Sequence, residues 1–153
     1  MHVPIIQLST EPIQREDWHD SFYYCEDFSL PYVDYINDDG YTDKERKDFI
    51  RELLPKYFSG LATVDADKET ITVLDCATIK ETIKEDAKRA LSEINKKYPS
   101  VVDYPYYLFR MAGYWFRGQE FYVNELTSAQ FVESLCCYSG QTLYIGSILD
   151  AHI

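Results

Sequence analysis

Four residues of one short stretch, His19, Asp20, Cys25 and Glu26, carry the side chains that acid–base catalysis, nucleophilic attack or metal binding would need. No second ligand pair stands at zinc spacing, and the other histidines, His2 and His152, lie near the two ends. The expectation is therefore a capped or partly buried His19 rather than a metal or acid–base centre. A second candidate runs from Tyr35 to Arg46, where Asn37, Asp39, Gly40 and Asp43 resemble a calcium loop. Its first position is Tyr35 where an Asp is needed, and its twelfth is Arg46 where a bidentate Glu would supply two oxygens. An Asp-Asp-Gly turn feeding a helix accounts for the same residues.

The four cysteines, Cys25, Cys76, Cys136 and Cys137, show no C-x-x-C spacing, and the adjacent pair is badly placed to bridge itself. The reading is reduced, mostly buried thiols in a cytoplasmic chain. A Gly-rich phosphate loop, a G-x-S-x-G elbow and an H-E-x-x-H helix are all missing. No cofactor and no metal are expected, and the balance falls toward binding rather than catalysis, with an unfamiliar small enzyme as the alternative.

Charge and tyrosine content point to what would be bound. The 153-residue chain carries a formal net charge of −11 with 14 tyrosines. Residues 1–41 hold nine acids against the single base Arg15, residues 42–117 are nearly balanced, and residues 118–153 hold four acids and no base. Such a surface repels nucleic acid and anionic membranes, whose binding needs Lys and Arg. It attracts a basic protein. The acids of the first stretch are interleaved with rings, and Tyr suits interfaces because it joins a large apolar face to a polar tip. The predicted partner-binding residues are Tyr23, Tyr24, Glu26, Asp27, Tyr32, Asp34, Tyr35, Asp38, Asp39 and Tyr41, with carboxylates pairing to guanidinium groups and rings stacking on them. The competing reading puts several of these rings in the core.

The elements that must position these residues follow from periodicity. Val3 to Ser9 reads as a strand, with Pro4 at its first residue or on an edge. Residues 11–41 read as a long acidic-aromatic loop with a short helical or extended insert, and loops of that length are often functional. Thr42 to Glu45 is a capping box, followed by Phe49, Ile50, Leu53, Leu54, Tyr57 and Phe58 as one apolar stripe that Pro55 should kink or end. Leu61 to Asp67 and Thr70 to Asp75 form a hairpin around Lys68-Glu69. Thr78 to Glu81 reads as a second capping box, opening a helix striped by Ile79, Ile83, Ala87, Ala90, Leu91 and Ile94. A further hairpin is expected about Gly118-Gln119, between Tyr114–Arg117 and Glu120–Leu126. Thr127 to Gln130 caps a short helix that Gly140 terminates, and Thr142 to Leu149 is a final strand.

Strands and helices mix without a βαβ rhythm. The fold class is thus α+β: one domain over residues 1–153, a mainly antiparallel sheet with two or three amphipathic helices packed on one face. The opening shows neither the basic n-region nor the long apolar h-region of a secretory signal, so no export is expected, and Tyr104 to Phe116 is too short and too interrupted to span a bilayer. The leading functional expectation is a small acidic protein-binding module, in one form an inhibitor occupying a basic, nucleic-acid-binding surface of its partner. The alternatives are a small enzyme or ligand-binding domain with a pocket lined by the aromatic segment 104–122 and by His19, Asp20 or Cys25, and a subunit of a larger assembly or homo-oligomer using the apolar end Leu143 to Ile153, which reads as either a core strand or a dimer edge.

Overall fold

A computed structural model describes residues 2–26, 30, 33–37, 40–97 and 121–152, apart from the side chains of residues 25, 26, 94 and 97. Strand β1 (His2–Ser9) alternates Val3 and Ile5 on one face with Ile6 and Leu8 on the other, all of them buried. After a single 3-10 turn at Arg15–Asp17, the chain forms α1 (Ser21–Glu26) and a two-residue strand β2 (Tyr35–Ile36). Helix α2 (Asp43–Asp48) opens on the expected capping box, with the Thr42 hydroxyl accepting from the Glu45 amide and the Glu45 carboxylate accepting from the Thr42 amide. It runs through a π turn (Phe49–Leu53) into α3 (Leu54–Tyr57). Pro55 therefore does not end the helix. The wider π turn just before it, where the Leu54 amide reaches back to the Phe49 carbonyl, accommodates the proline.

Strands β3 (Ala62–Asp65) and β4 (Thr70–Val73) form the predicted hairpin. Its loop is longer than Lys68-Glu69 because Asp65 Oδ1 accepts from the amides of both Asp67 and Lys68. Helix α4 (Cys76–Lys97) begins earlier than the Thr78 box predicts. Its cap is Asp75, whose carboxylate takes the Thr78 amide at 3.0 Å and the Thr78 hydroxyl at 2.6 Å, so the charged acceptor displaces the hydroxyl from that role. Ile79 is fully buried and Ile83 packs against the core, but Leu91 is 44% exposed. At roughly 1.5 Å per residue Leu91 stands about 18 Å along the helix axis from Ile79.

The chain resumes with β5 (Tyr122–Val123) and β6 (Leu126–Thr127), joined through Asn124 and Glu125. The stretch read as one strand from Glu120 to Leu126 thus breaks at Asn124, whose φ of 51° places it in the left-handed region Asn tolerates. Asn124 substitutes for a strand neighbour: its side chain accepts from the Leu8 amide and donates to the Leu8 carbonyl. The hairpin expected about Gly118-Gln119 lies outside the described residues. Helix α5 (Ser128–Ser134) is capped by Thr127 and Gln130 as read, and β7 (Thr142–His152) follows.

The sheet order is β3-β4-β7-β1-β5-β6, with β2 on the far end of β7; every pairing is antiparallel except β1 with β5. The result is the expected α+β fold with a mostly antiparallel sheet. Helices α2, α3, α4 and α5 cover one face, burying Phe49, Ile50, Leu54, Phe58, Ile79 and Leu135 against Ile6, Ile71, Val73 and Ile145. On the other face Tyr24, Leu30 and Ile36 close over Val3, Ile5, Leu149 and Ala151. Strand β7 has partners on both sides, so Leu143 to His152 is the middle of the sheet rather than a docking edge. Pro4 also sits in an inner strand. It stands opposite Asp150 of β7, whose carbonyl accepts from the Asn37 amide on the far side, so the pair exchanges no backbone bond and the missing N–H costs the β1–β7 ladder nothing. No described helix is long and apolar enough to cross a membrane.

A bulge interrupts β7. Ile6 pairs with Ile148 but Leu8 pairs with Ile145, so Gly146 and Ser147 together oppose Gln7. The extra residue puts Ile145 and Ile148 in the same core and turns Leu149 to the other face.

Candidate functional site

The acidic-aromatic segment is anchored to this bulge. Gln7, 5% exposed, accepts through Oε1 from the amides of His19 and Ser147, both at 3.1 Å, and from the Ser147 hydroxyl; its Nε2 donates to the Asp17 carbonyl. A Cβ on Gly146 would collide with Gln7 Oε1, so close approach rather than backbone freedom demands glycine there. From the helical side Arg46, 4% exposed, donates from Nη2 to the carbonyls of Ile145 (3.1 Å) and Gly146 (2.8 Å) and pairs through Nη1 with Glu69 at 2.6 Å. Glu69 holds a φ of 51°, a conformation costly for this residue type, at the point where its carboxylate meets Arg46. The guanidinium groups of Arg46 and Arg15 lie over the Trp18 ring at 4.6 and 5.3 Å. Arg46, which stood at the twelfth position of the calcium-loop match, is thus committed to the sheet.

Beyond this anchor, Asp20 caps α1 by accepting from the Tyr23 amide at 2.9 Å. One turn of helix cannot bury both Phe22 and Tyr24, which point about 200° apart. Tyr24 goes inward: it is 2% exposed, its hydroxyl lies 3.2 Å from His19 Nδ1, and burial pushes its phenol well up. Phe22 goes outward at 62% exposure. Tyr23 lies between, stacked on the His19 ring at 3.7 Å and donating its hydroxyl to Glu125 at 3.1 Å. Burial lowers the His19 pKa, against the opposing pull of Glu125 and Asp20, so the ring is neutral at pH 7.

The other predicted residues are distributed unevenly. Tyr35 is 55% exposed and stacks on His152 at 5.0 Å, beside an exposed Asp34 that lies 3.7 Å from His152 Nδ1. Tyr41 is half-buried against Phe49, and burial together with the Asp150 carboxylate pushes its phenol up to about 12. Glu26 belongs to α1, with its side chain outside the described residues; Asp27, Tyr32, Asp38 and Asp39 lie outside them altogether. Of the predicted set, then, Asp34 and Tyr35 face solvent, Tyr23 and Tyr41 are partly covered, and Tyr24 is core. Sequence reasoning missed Phe22, although the helical phase of Asp20 to Tyr24 carries the signal, and missed Gln7, Arg46 and Trp18, for which no local signal exists.

A cavity of about 380 Å³ opens where this segment crosses the end of β1, lined by Gln7, Leu8, Ser9, Pro12, Ile13, Asp17, His19, Asn124 and Glu125. Among the described residues Cys76, Cys136 and Cys137 are free thiols, none of them lining this cavity; the Cys136 Sγ lies 3.9 Å from the Cys76 carbonyl. Among the described residues no group of three or more His, Cys, Asp or Glu side chains is arranged to hold a metal ion. Comparison with protein-family models, with curated proteins and with solved structures returns no match.

Proposed function

We propose that this chain is a protein-binding module that receives a basic, arginine-bearing surface of a partner on the face formed by α1, β2 and the turn between β1 and α1. One observation carries the reading. The two most exposed large hydrophobic side chains among the described residues, Phe22 and Tyr35, both lie on the segment that holds nine acids and one base. Exposed rings set among carboxylates are what an arginine-rich surface needs: the charge steers the encounter, and the rings offer stacking area once water is expelled.

Asp34 beside Tyr35, and Asp20 beside Phe22, bring the two kinds of contact within reach of a single partner side chain. If that basic surface serves the partner for binding nucleic acid, occupation by these carboxylates blocks it, and the module acts as an inhibitor without making or breaking a bond. Free thiols at Cys76, Cys136 and Cys137 suit a cytoplasmic setting for this encounter. A second reading, a small-ligand-binding domain, is favoured by the cavity of about 380 Å³ beside His19.

The test is capture of partners from source-cell lysate at low and at high salt, with the wild-type chain beside a Phe22→Ser, Asp34→Lys double variant. The expected result is a basic protein retained at low salt, released at high salt and lost from the variant. Equal capture by a folded double variant overturns the assignment to this face; a retained partner with no excess of Lys and Arg overturns the electrostatic reading.

A further inference from the structure

The cavity at the end of β1 is concave, is bordered by the acidic segment, and counts Asp17 and Glu125 among its lining residues. Asp17 offers its carboxylate without a hydrogen-bond or ion-pair partner among the described residues. Among the described residues Glu125 accepts from the Tyr23 hydroxyl, through Oε1. Among the described residues no Lys or Arg lines the space. Most remaining polar groups of the wall are already engaged: Gln7 with His19, Ser147 and Asp17, Asn124 with Leu8, and the Ser9 hydroxyl with the Glu11 amide. Leu8, Pro12 and Ile13 supply an apolar side. His19 is uncharged at pH 7 because burial disfavours its protonated form, so the wall keeps two negative charges and gains no positive one.

We infer that this cavity is a receptor for a single guanidinium group, the tip of an arginine side chain on the basic partner, with the Asp17 and Glu125 carboxylates accepting its N–H donors and Leu8, Pro12 and Ile13 covering its aliphatic stem. A planar fork with five donors matches two separated carboxylates better than the compact ammonium of lysine does. A volume of about 380 Å³ is at the lower end of the range for small-molecule pockets, ample for one side chain. The cavity is framed by Gln7, which ties β1 to both His19 and the β7 bulge, so the receptor is formed before the partner arrives.

The inference rests on the partner reading above for the source of the guanidinium, and the experiment separates the two. N-acetyl-arginine amide is titrated into the full chain and followed by NMR, beside the neutral N-acetyl-citrulline amide and N-acetyl-lysine amide. Saturable binding is expected for the arginine compound, at least tenfold weaker for citrulline and several-fold weaker for lysine. An Asp17→Asn, Glu125→Gln variant, which keeps an acceptor for Tyr23, should lose at least tenfold, while Glu93→Gln on the distant α4 leaves binding unchanged. Absence of binding, equal binding of citrulline, or wild-type affinity in the double variant overturns the receptor. If the arginine compound binds but fails to displace a captured partner, the docking role is overturned and the site belongs to a free guanidinium compound. If it binds and no basic partner is captured, the cavity stands and the partner reading falls.

Discussion

The bulge on β7 and the outer side of α1 are built from the same kinds of residue, charged groups beside aromatic rings, and use them in opposite ways. At the bulge, Gln7 bonds Ser147, and Arg46 bonds two β7 carbonyls and Glu69 while its Nε stays buried without a hydrogen-bond partner among the described residues, with Trp18 laid over the guanidinium. At α1 and β2, Phe22 and Tyr35 stand in solvent with Asp34 nearby. Buried polar groups must be paired because an unmet donor in a low-dielectric interior is costly, so the first cluster is committed to holding the fold. The exposed cluster touches the fold only at its edge, through the stacking of Tyr35 on His152, and leaves Phe22 and most of Tyr35 open to a partner.

The comparison can be broken by mutation. The largest effect should come from Arg46→Ala, which abandons two β7 carbonyls and Glu69: a loss of about 3 kcal/mol in urea denaturation is expected, in the range for removing one partner of a buried ion pair. Arg46→Lys should recover only part of it, since an ammonium cannot reproduce the fork. A loss under about 1 kcal/mol for the Ala variant would mean that the bulge does not carry the fold. Gly146→Ala, which forces a methyl against Gln7, should cost about 2 kcal/mol by the same measurement, and pairing it with Gln7→Ala should cost less than the sum of the two.

A smaller effect is expected from pH. Above the ordinary His19 value of 6.5 the ring is neutral folded and unfolded, so its contribution does not vary. Below 6.5 the unfolded chain takes the proton first, and stability falls with pH until the folded ring is protonated too. His19→Gln should flatten this part of the stability profile; an unchanged profile would place the proton uptake elsewhere. The smallest change in stability, within about 0.5 kcal/mol, is expected for Phe22→Ser, together with the largest loss of partner affinity, at least tenfold. If Phe22→Ser instead lowers the denaturation midpoint substantially, Phe22 belongs with the bulge and the contrast fails.

Local patterns accounted for the elements. The alternation of Val3 to Ser9, the Thr42-to-Glu45 and Thr127-to-Gln130 boxes, and the turn at Gly140 with its φ of 74° each depend on neighbours a few residues away, and the chain states them directly. Competition between local options was less legible: Asp75 took the cap assigned to Thr78, and Asn124 cut a strand, because a stronger acceptor or a tolerated left-handed residue stood close by.

For the candidate site, sequence by itself determined the chemistry on offer, acids and rings concentrated before residue 42 with almost no base among them, because composition does not depend on folding. Tertiary structure decided which of those side chains face outward. Tyr24 and Tyr35 read alike in the chain, yet one is sealed between α1 and the sheet and the other lies on a strand end, since burial depends on what arrives from far along the chain to cover a surface. The same holds for Gln7 meeting Ser147 and Arg46 meeting Gly146, contacts across about a hundred residues or more that only the closed sheet brings together.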